Sequence, residues 1–274
     1  MTEAQEVRTP ISMLWESADP DAALTERFGF ASADEATGWL SGVLTEHWGL
    51  GVDAFEQLVI SDANCLAWIT VGERRMIAKW SMWPRMFPRL AAIAELTVWL
   101  GERGIPVSVP QAARDARVQV EVDGFSVGLQ QVIGGELLDI SDPVQVRAAG
   151  EMLARMHAAM ADYPGTIPTD IPPPPASDTQ LVGNDFRSAN ILWAAGRVAA
   201  VLDLEEATYR RRVDDLAKAA VLLGTRYHHW RPTPAEVREA FVAAYVSVLP
   251  LEEGDTGALG ASIEAHLRRI PWPG

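Results

Sequence analysis

The chain has 274 residues, 48% hydrophobic and 22% charged, which is ample apolar material for one or two packed cores and far from a disordered composition. No run approaches the roughly 18 apolar residues of a membrane span, and the opening MTEAQEVRTP has no apolar stretch resembling a signal peptide, so a cytoplasmic protein without a membrane partner is expected. Lysine plus arginine number 23 against 37 aspartate plus glutamate, and the resulting net charge of −14 opposes nucleic-acid binding and suits a cationic small molecule. The single cysteine, Cys65, excludes an intrachain disulfide framework and a thiolate-rich zinc site.

The first thirty residues show no clear pattern. From Ser32 to His47, Trp39, Val43 and Leu44 recur at helical spacing, with Ser32 or Asp34 as the N-cap and Gly49 and Gly51 as a stop. Three strands are expected at 55–61, 65–71 and 74–80, the last two joined at Gly72-Glu73. Leu90 to Arg103 reads as a helix with Leu90, Ile93, Thr97 and Leu100 on one face, ended by Gly104 and Pro106. Two further strands, 116–122 and 125–133, flank Asp123-Gly124, a strong hairpin signal. This half is expected to be an antiparallel sheet interrupted by one helix.

Asp142-Pro143 predicts the cap and first turn of a helix reaching Ala161, with Met152, Leu153, Met156 and Met160 on its apolar face. Six prolines between 163 and 180 forbid helix or central strand there and predict a stiff extended connection. Ile191-Leu192-Trp193 and Val198–Leu202 around Gly196 predict a small hairpin. Helices follow at 213–224 and 234–248, the latter opened by Thr233-Pro234-Ala235-Glu236 with capping-box spacing. No internal repeat is present, and a β-rich half joined near 134 to a helical half suggests two lobes with a cleft between them.

The stretch 182–206 carries the chemistry. It sets Asp185, Asn190 and Asp203 around a short hairpin, so two carboxylates and an amide can converge on one point. Asn190 and Asp203 would supply the protein share of a magnesium site completed by phosphate oxygens and water. Asp185 would then orient an attacking hydroxyl and accept its proton, with Arg187 neutralising charge on a transferring phosphate. Glu205 and Glu206 directly follow Asp203 and are candidates for acceptor binding. His157 reads as a packing histidine, and His228-His229-Trp230 is too compact for convergent metal ligation. Most of the ten tryptophans are expected in the core, with Trp83 and Trp230 as possible borders of a ligand.

Asp185-x4-Asn190 followed by an apolar hairpin and Asp203 resembles the catalytic loop and metal-binding aspartate of the aminoglycoside phosphotransferase and choline kinase family, relatives of protein kinases. Arg75-Met76-Ile77-Ala78-Lys79 resembles the strand whose lysine holds the α- and β-phosphates, and Glu95 stands where the family places that lysine's acidic partner. GLQQVIGGELL resembles the hinge, which implies Gln130 guarding the adenine pocket and the Gln131 carbonyl and Ile133 amide as adenine contacts. MLARMHAAM resembles the helix preceding the catalytic loop, and RRRVDDLAKAA the helix whose Asp215 steadies that loop. Two departures stand out: Gly183-Asn184-Asp185 replaces the usual His-Gly-Asp, and Ser61-Asp62-Ala63-Asn64, the loop expected to cap phosphate, has no glycine. The short proline segment implies an open acceptor side.

Together these readings imply an α+β, two-lobed protein-kinase-like fold: an N-terminal nucleotide-binding lobe over 1–133, built on an antiparallel sheet with a helix, and a mainly helical catalytic and acceptor-binding lobe over 134–274. The implied activity is magnesium-dependent transfer of the γ-phosphate of ATP or GTP to a hydroxyl of a cationic small molecule. An aminoglycoside or basic peptide antibiotic is the expected acceptor, with resistance as the outcome. A metabolic kinase of an amino alcohol or sugar, and a nucleotide-binding pseudokinase, are the alternatives. A monomer or weak dimer is expected.

Overall fold

A computed structural model describes residues 9–169, 179–226 and 230–269. Its contacts group the residues up to Ala94 with Val109–Val132 as one unit, and Glu95–Ser108 with Ile133 onward as a second. A boundary near 133 alone would have placed 95–108 with the first unit.

The first unit contains β1 (Ile11–Met13), α1 (Pro20–Phe28), α2 (Ala33–Val43) with a continuing π turn at Leu44–Trp48, β2 (Ala54–Ile60), β3 (Asn64–Val71), β4 (Arg74–Ser81), the start of α3 (Phe87–Glu102), β5 (Val120–Val122) and β6 (Phe125–Gln131). The strands form one sheet in the order β1-β2-β3-β4-β6-β5. The expected antiparallel pairing holds except at β1, which runs parallel to β2 with Ile11 opposite Leu58. Strict alternation along β3 buries Cys65, Ala67, Ile69 and Val71 on one face. That face joins Ala78 and Trp80 of β4 in a core closed by Leu24 and Phe28 of α1 and Leu40 of α2. Phe28 meets Trp80 edge-on at 6.3 Å, and Trp39 meets Phe125 at 5.0 Å. Asp123 and Gly124 both take positive φ, the backbone a two-residue hairpin of this twist demands, and Trp39 Nε1 donates to Asp123 Oδ2 at 3.0 Å.

Several expectations need correction here. The first thirty residues contain α1, whose signals are explicit: Asp19 accepts from the Ala22 N–H, Pro20 opens the helix and Gly29 ends it in the left-handed conformation. The strand expected from 116 begins at Val120, because 113–117 form a turn with the Ala113 N–H donating to the Arg117 carbonyl. The next strand ends at Gln131, although the Val132 N–H still donates to the Arg75 carbonyl at 3.0 Å.

The second unit holds the end of α3, then β7 (Glu136–Leu137), α4 (Pro143–Ala161), β8 (Thr179–Val182), β9 (Ile191–Ala194), β10 (Arg197–Val201), β11 (Thr208–Arg211), α5 (Arg212–Leu222), α6 (Ala235–Val248) and α7 (Asp255–Arg269). The strands make two small sheets, β10-β9-β7 and β11-β8. α4 opens as expected, with Asp142 accepting from the Val144 N–H. It packs so closely on α6 that a Cβ added at Gly150 would lie 2.3 Å from the Phe241 carbonyl oxygen. The capping box expected at 233–236 does not form: Thr233 Oγ1 accepts instead from the Gly224 N–H at 3.0 Å, tying the start of α6 to the end of α5. α7 was hidden by Gly257 and Gly260, poor helix formers, and is held by Ile263 and Leu267 packing on Val221 and Leu222. Of the proline segment, 170–178 lie outside the described residues.

Among the described residues no helix is long and apolar enough to cross a membrane. Cys65 is fully buried, and burial pushes its thiol far above the ordinary value, which makes it an inert core residue.

Candidate active site

The loop after β8 gathers the candidate catalytic residues. The chain leaves Val182, turns at Gly183 and Asn184, and presents Asp185. Asn184 adopts a left-handed backbone (φ +62), a conformation asparagine tolerates better than most residues. Beyond it, Phe186 is buried and packs on Phe241 at 6.2 Å, and the Ser188 N–H donates to the Leu223 carbonyl at 2.7 Å. These two attachments fix the loop on either side of Arg187. A single 3₁₀ turn, Ser188–Asn190, then feeds β9.

Within the loop, Asn190 Nδ2 donates to Asp185 Oδ2 at 2.8 Å and to the Asp185 carbonyl at 3.0 Å, while Arg187 Nε donates to the same Oδ2 at 3.1 Å. Both side chains of the ion pair are largely covered, Asp185 at 14% exposure and Arg187 at 18%. One carboxylate oxygen is therefore immobilised, whereas Oδ1 accepts from none of the described residues. The Arg187 guanidinium carbon also lies 5.4 Å from the centre of the Trp230 ring.

Asp203 reaches the cluster through the hairpin. β9 and β10 turn at Ala195-Gly196, and the Leu202 N–H donates to the Asn190 carbonyl at 2.7 Å, which sets Asp203 one residue from Asn190's main chain. Asp203 is exposed and left-handed (φ +55), and its Oδ1 accepts from the Glu205 N–H at 3.4 Å. Glu205 is half-buried and Glu206 exposed. Of the three residues expected to converge, Asp185 and Asn190 meet through side-chain hydrogen bonds, with Arg187 added to them, and Asp203 follows the Leu202 that bonds the Asn190 main chain.

Beneath the loop, α5 contributes residues that sequence reading undervalued. His157 of α4 is fully buried, with Nε2 at 2.9 Å from Asp215 Oδ2 and Nδ1 at 2.8 Å from the Tyr245 hydroxyl. Burial pushes the Tyr245 phenol well above its ordinary value. Asp215, expected to steady the loop, lines a small concavity with Asn184, Asp185 and Phe186, but its carboxylate bonds to His157. The side chain that bonds the loop is Lys218, whose Nζ donates to the Asn184 carbonyl at 2.5 Å and to Asn184 Oδ1 at 3.2 Å. The available signal was a lysine within the run Leu216, Ala217, Ala219 and Ala220, a charge in a helix whose neighbouring residues are buried.

The residues expected to hold nucleotide are divided between the units. Lys79 is half-buried on β4, opposite Leu66 and Gly128, on the sheet face away from Ala78 and Trp80. Gln130 and Gln131 end β6 opposite Ile77 and Met76. Glu95, exposed on α3, and Ile133 fall in the second unit. In the loop expected to cap phosphate, the Ser61 N–H is committed to the Asn64 carbonyl at 2.8 Å. Among the described residues no three histidine, cysteine, aspartate or glutamate side chains cluster as a metal site, and His228 and His229 lie outside them.

Comparison with known proteins supports the family resemblance. Residues 166–256 match the profile of the phosphotransferase enzyme family APH. A homoserine kinase of Methylobacillus flagellatus is 33% identical over 111 residues, 40% of this chain but only 30% of that protein. Among solved structures, a microcompartment-associated aminopropanol kinase has a TM-score of 0.62 at 17% identity, covering 85% of this chain and 87% of its own. A spectinomycin phosphotransferase in complex with ADP and spectinomycin has a TM-score of 0.57 at 12% identity, covering 86% and 94%. These likenesses show a protein-kinase-like α+β fold, in agreement with the expectation from sequence.

Proposed function

We infer that this chain, whose residues 166–256 match the phosphotransferase enzyme family, transfers the terminal phosphate of ATP to a hydroxyl of an amine-bearing small molecule. The observation that carries the reading is the state of Asp185. One carboxylate oxygen is held by Asn190 and Arg187, and the other is left to accept a proton. A carboxylate so oriented can align an acceptor hydroxyl and take its proton as the phosphoryl group departs. Arg187, bonded to Asp185 through Nε, also carries the charge needed to neutralise a transferring phosphate.

Asn190 and Asp203 fit magnesium by chemistry. Asn190 donates through Nδ2 while its side-chain Oδ1 accepts from none of the described residues, and Asp203, next to the Leu202 that bonds the Asn190 main chain, offers an exposed carboxylate. Bound there, the ion would neutralise charge on the nucleotide phosphates. Lys79 would hold the α- and β-phosphates and the Gln131 carbonyl would meet the adenine, while Glu95 and the Ile133 amide remain the nucleotide-binding candidates of the second unit. Glu205 and Glu206 would receive the acceptor's ammonium group.

Within this class two acceptors are favoured by different relatives. The spectinomycin phosphotransferase fold supports an antibiotic substrate, and the homoserine kinase and aminopropanol kinase likenesses support a small amino alcohol. Incubation with magnesium and ATP against a panel holding aminoglycosides, basic peptides, homoserine and aminopropanol decides between them, read as a mass gain of one phosphoryl group. Nucleotide binding with no transfer to any hydroxylated amine would refute the reading.

A further inference from the structure

We propose that Lys218 is the positioning residue for Asp185, a half-buried ammonium that clamps Asn184 and thereby sets the direction in which the catalytic carboxylate leaves the backbone. The inference rests on the phosphotransfer reading of Asp185, but its geometry stands apart from it. Lys218 Nζ donates to both the carbonyl and the side-chain oxygen of Asn184, at 2.5 and 3.2 Å. The Asn184 carbonyl and the Asp185 N–H belong to one rigid peptide plane, so holding the first orients the second. Asn184 is left-handed, a backbone state that is strained for most residues, and the two hydrogen bonds donated by Lys218 keep it there.

Asp185 is consequently held at two points. Its main chain is fixed from α5 by Lys218, and its Oδ2 from within the loop by Asn190 and Arg187. Charge favours the same arrangement. Burial draws the Lys218 ammonium below its ordinary range, while the carboxylates of Asp185, Asp215 and Glu206 act in the opposite sense and Arg210 acts with burial. On a helix face shared with Asp215, Ala219 and Leu222, a methionine or leucine would be easier to bury than a cation. The lysine is explained by what it holds.

The test compares Lys218→Met and Lys218→Arg with the wild type. The readouts are ATP affinity, kcat for phosphate release or transfer from magnesium-ATP, and hydrogen exchange in the loop 183–190. The amides of Ser188 and Asn190 are hydrogen-bonded and report on loop order. Lys218→Met should lower kcat about a hundredfold, the loss expected of a displacement near 1 Å. ATP affinity should stay within about threefold, because Lys218 touches no proposed nucleotide contact, and loop exchange should quicken relative to α5. Lys218→Arg should recover part of the kcat, which a purely space-filling role would not predict, and it serves if the methionine variant fails to fold. Unchanged kcat, or lost kcat with unchanged loop exchange, would overturn the proposal. If the wild type itself transfers no phosphate, the phosphotransfer reading fails, and loop exchange alone then decides whether Lys218 orders Asp185.

Discussion

Asn190 Nδ2 lies 2.8 Å from Asp185 Oδ2 and 3.0 Å from the Asp185 carbonyl, so one amide group fixes both the side chain and the main chain of the same aspartate. Asp185→Asn should therefore depress kcat by at least about a hundredfold, because an amide cannot take the acceptor's proton. ATP affinity should barely change. Lys79→Ala should weaken nucleotide binding as well as turnover, and equal loss of affinity in both variants would show that the two roles are misassigned.

Asp203 is exposed and carries little packing, so Asp203→Asn should leave the melting temperature within a few degrees of wild type. Turnover should fall below about a tenth, since electrostatic stabilisation of this kind is worth several kcal/mol in the transition state. Titration with magnesium at fixed ATP would check the assignment: the variant should need more metal to reach its residual rate.

His157 joins α4 to α5 through Asp215 and to α6 through Tyr245, in a fully buried arrangement. His157→Phe leaves the Asp215 carboxylate without that partner and should cost about 3 kcal/mol. That is a fall of roughly 6 °C or more in melting temperature for a unit of this size. Tyr245→Phe removes the hydrogen bond to His157 Nδ1 and should cost about 1 kcal/mol. Equal melting temperatures for His157→Phe and wild type would show that the pair adds nothing.

The Arg27 guanidinium, hydrogen-bonded to Glu16, holds the Glu16 carboxyl below its ordinary value, and Arg27 Nη1 also donates to the Ser61 carbonyl at 3.2 Å. A depressed carboxylate contributes stability above its ordinary pKa, and that contribution is lost as pH falls through the folded-state value. Arg27→Met should accordingly lower the melting temperature at neutral pH, and the gap from wild type should narrow below about pH 4. A gap that persists in acid would assign the effect to the Ser61 bond.

The acidic balance bears on the acceptor. With a net charge of −14 and Glu205 and Glu206 following Asp203, attraction of a cationic acceptor should weaken as salt is raised, since the Debye length is about 10 Å at 0.1 M. Acceptor KM should climb with ionic strength more steeply than ATP KM, and Glu206→Gln should flatten the climb. A salt-insensitive acceptor KM would point to a neutral sugar or alcohol.

The sequence by itself determined the elements whose signals are local. Asp142-Pro143 placed the start of α4, Asp123-Gly124 placed a hairpin, and the short spacing around β9 and β10 brought Asn190 to Asp185, because each relation spans few residues and is fixed by turn or capping chemistry. Only the tertiary structure decided which partners distant residues take. Thr233 has the spacing of a capping box, yet its hydroxyl serves Gly224, and Asp215 turns to His157, 58 residues away, while Lys218 reaches Asn184. α7, with glycines inside it, and the pairing of β11 with β8 rest likewise on contacts far apart in the chain. A hydrogen-bonding group states in the sequence only what it can do. Burial selects its partner, because a polar atom removed from water must bond to whatever the packed chain brings within reach.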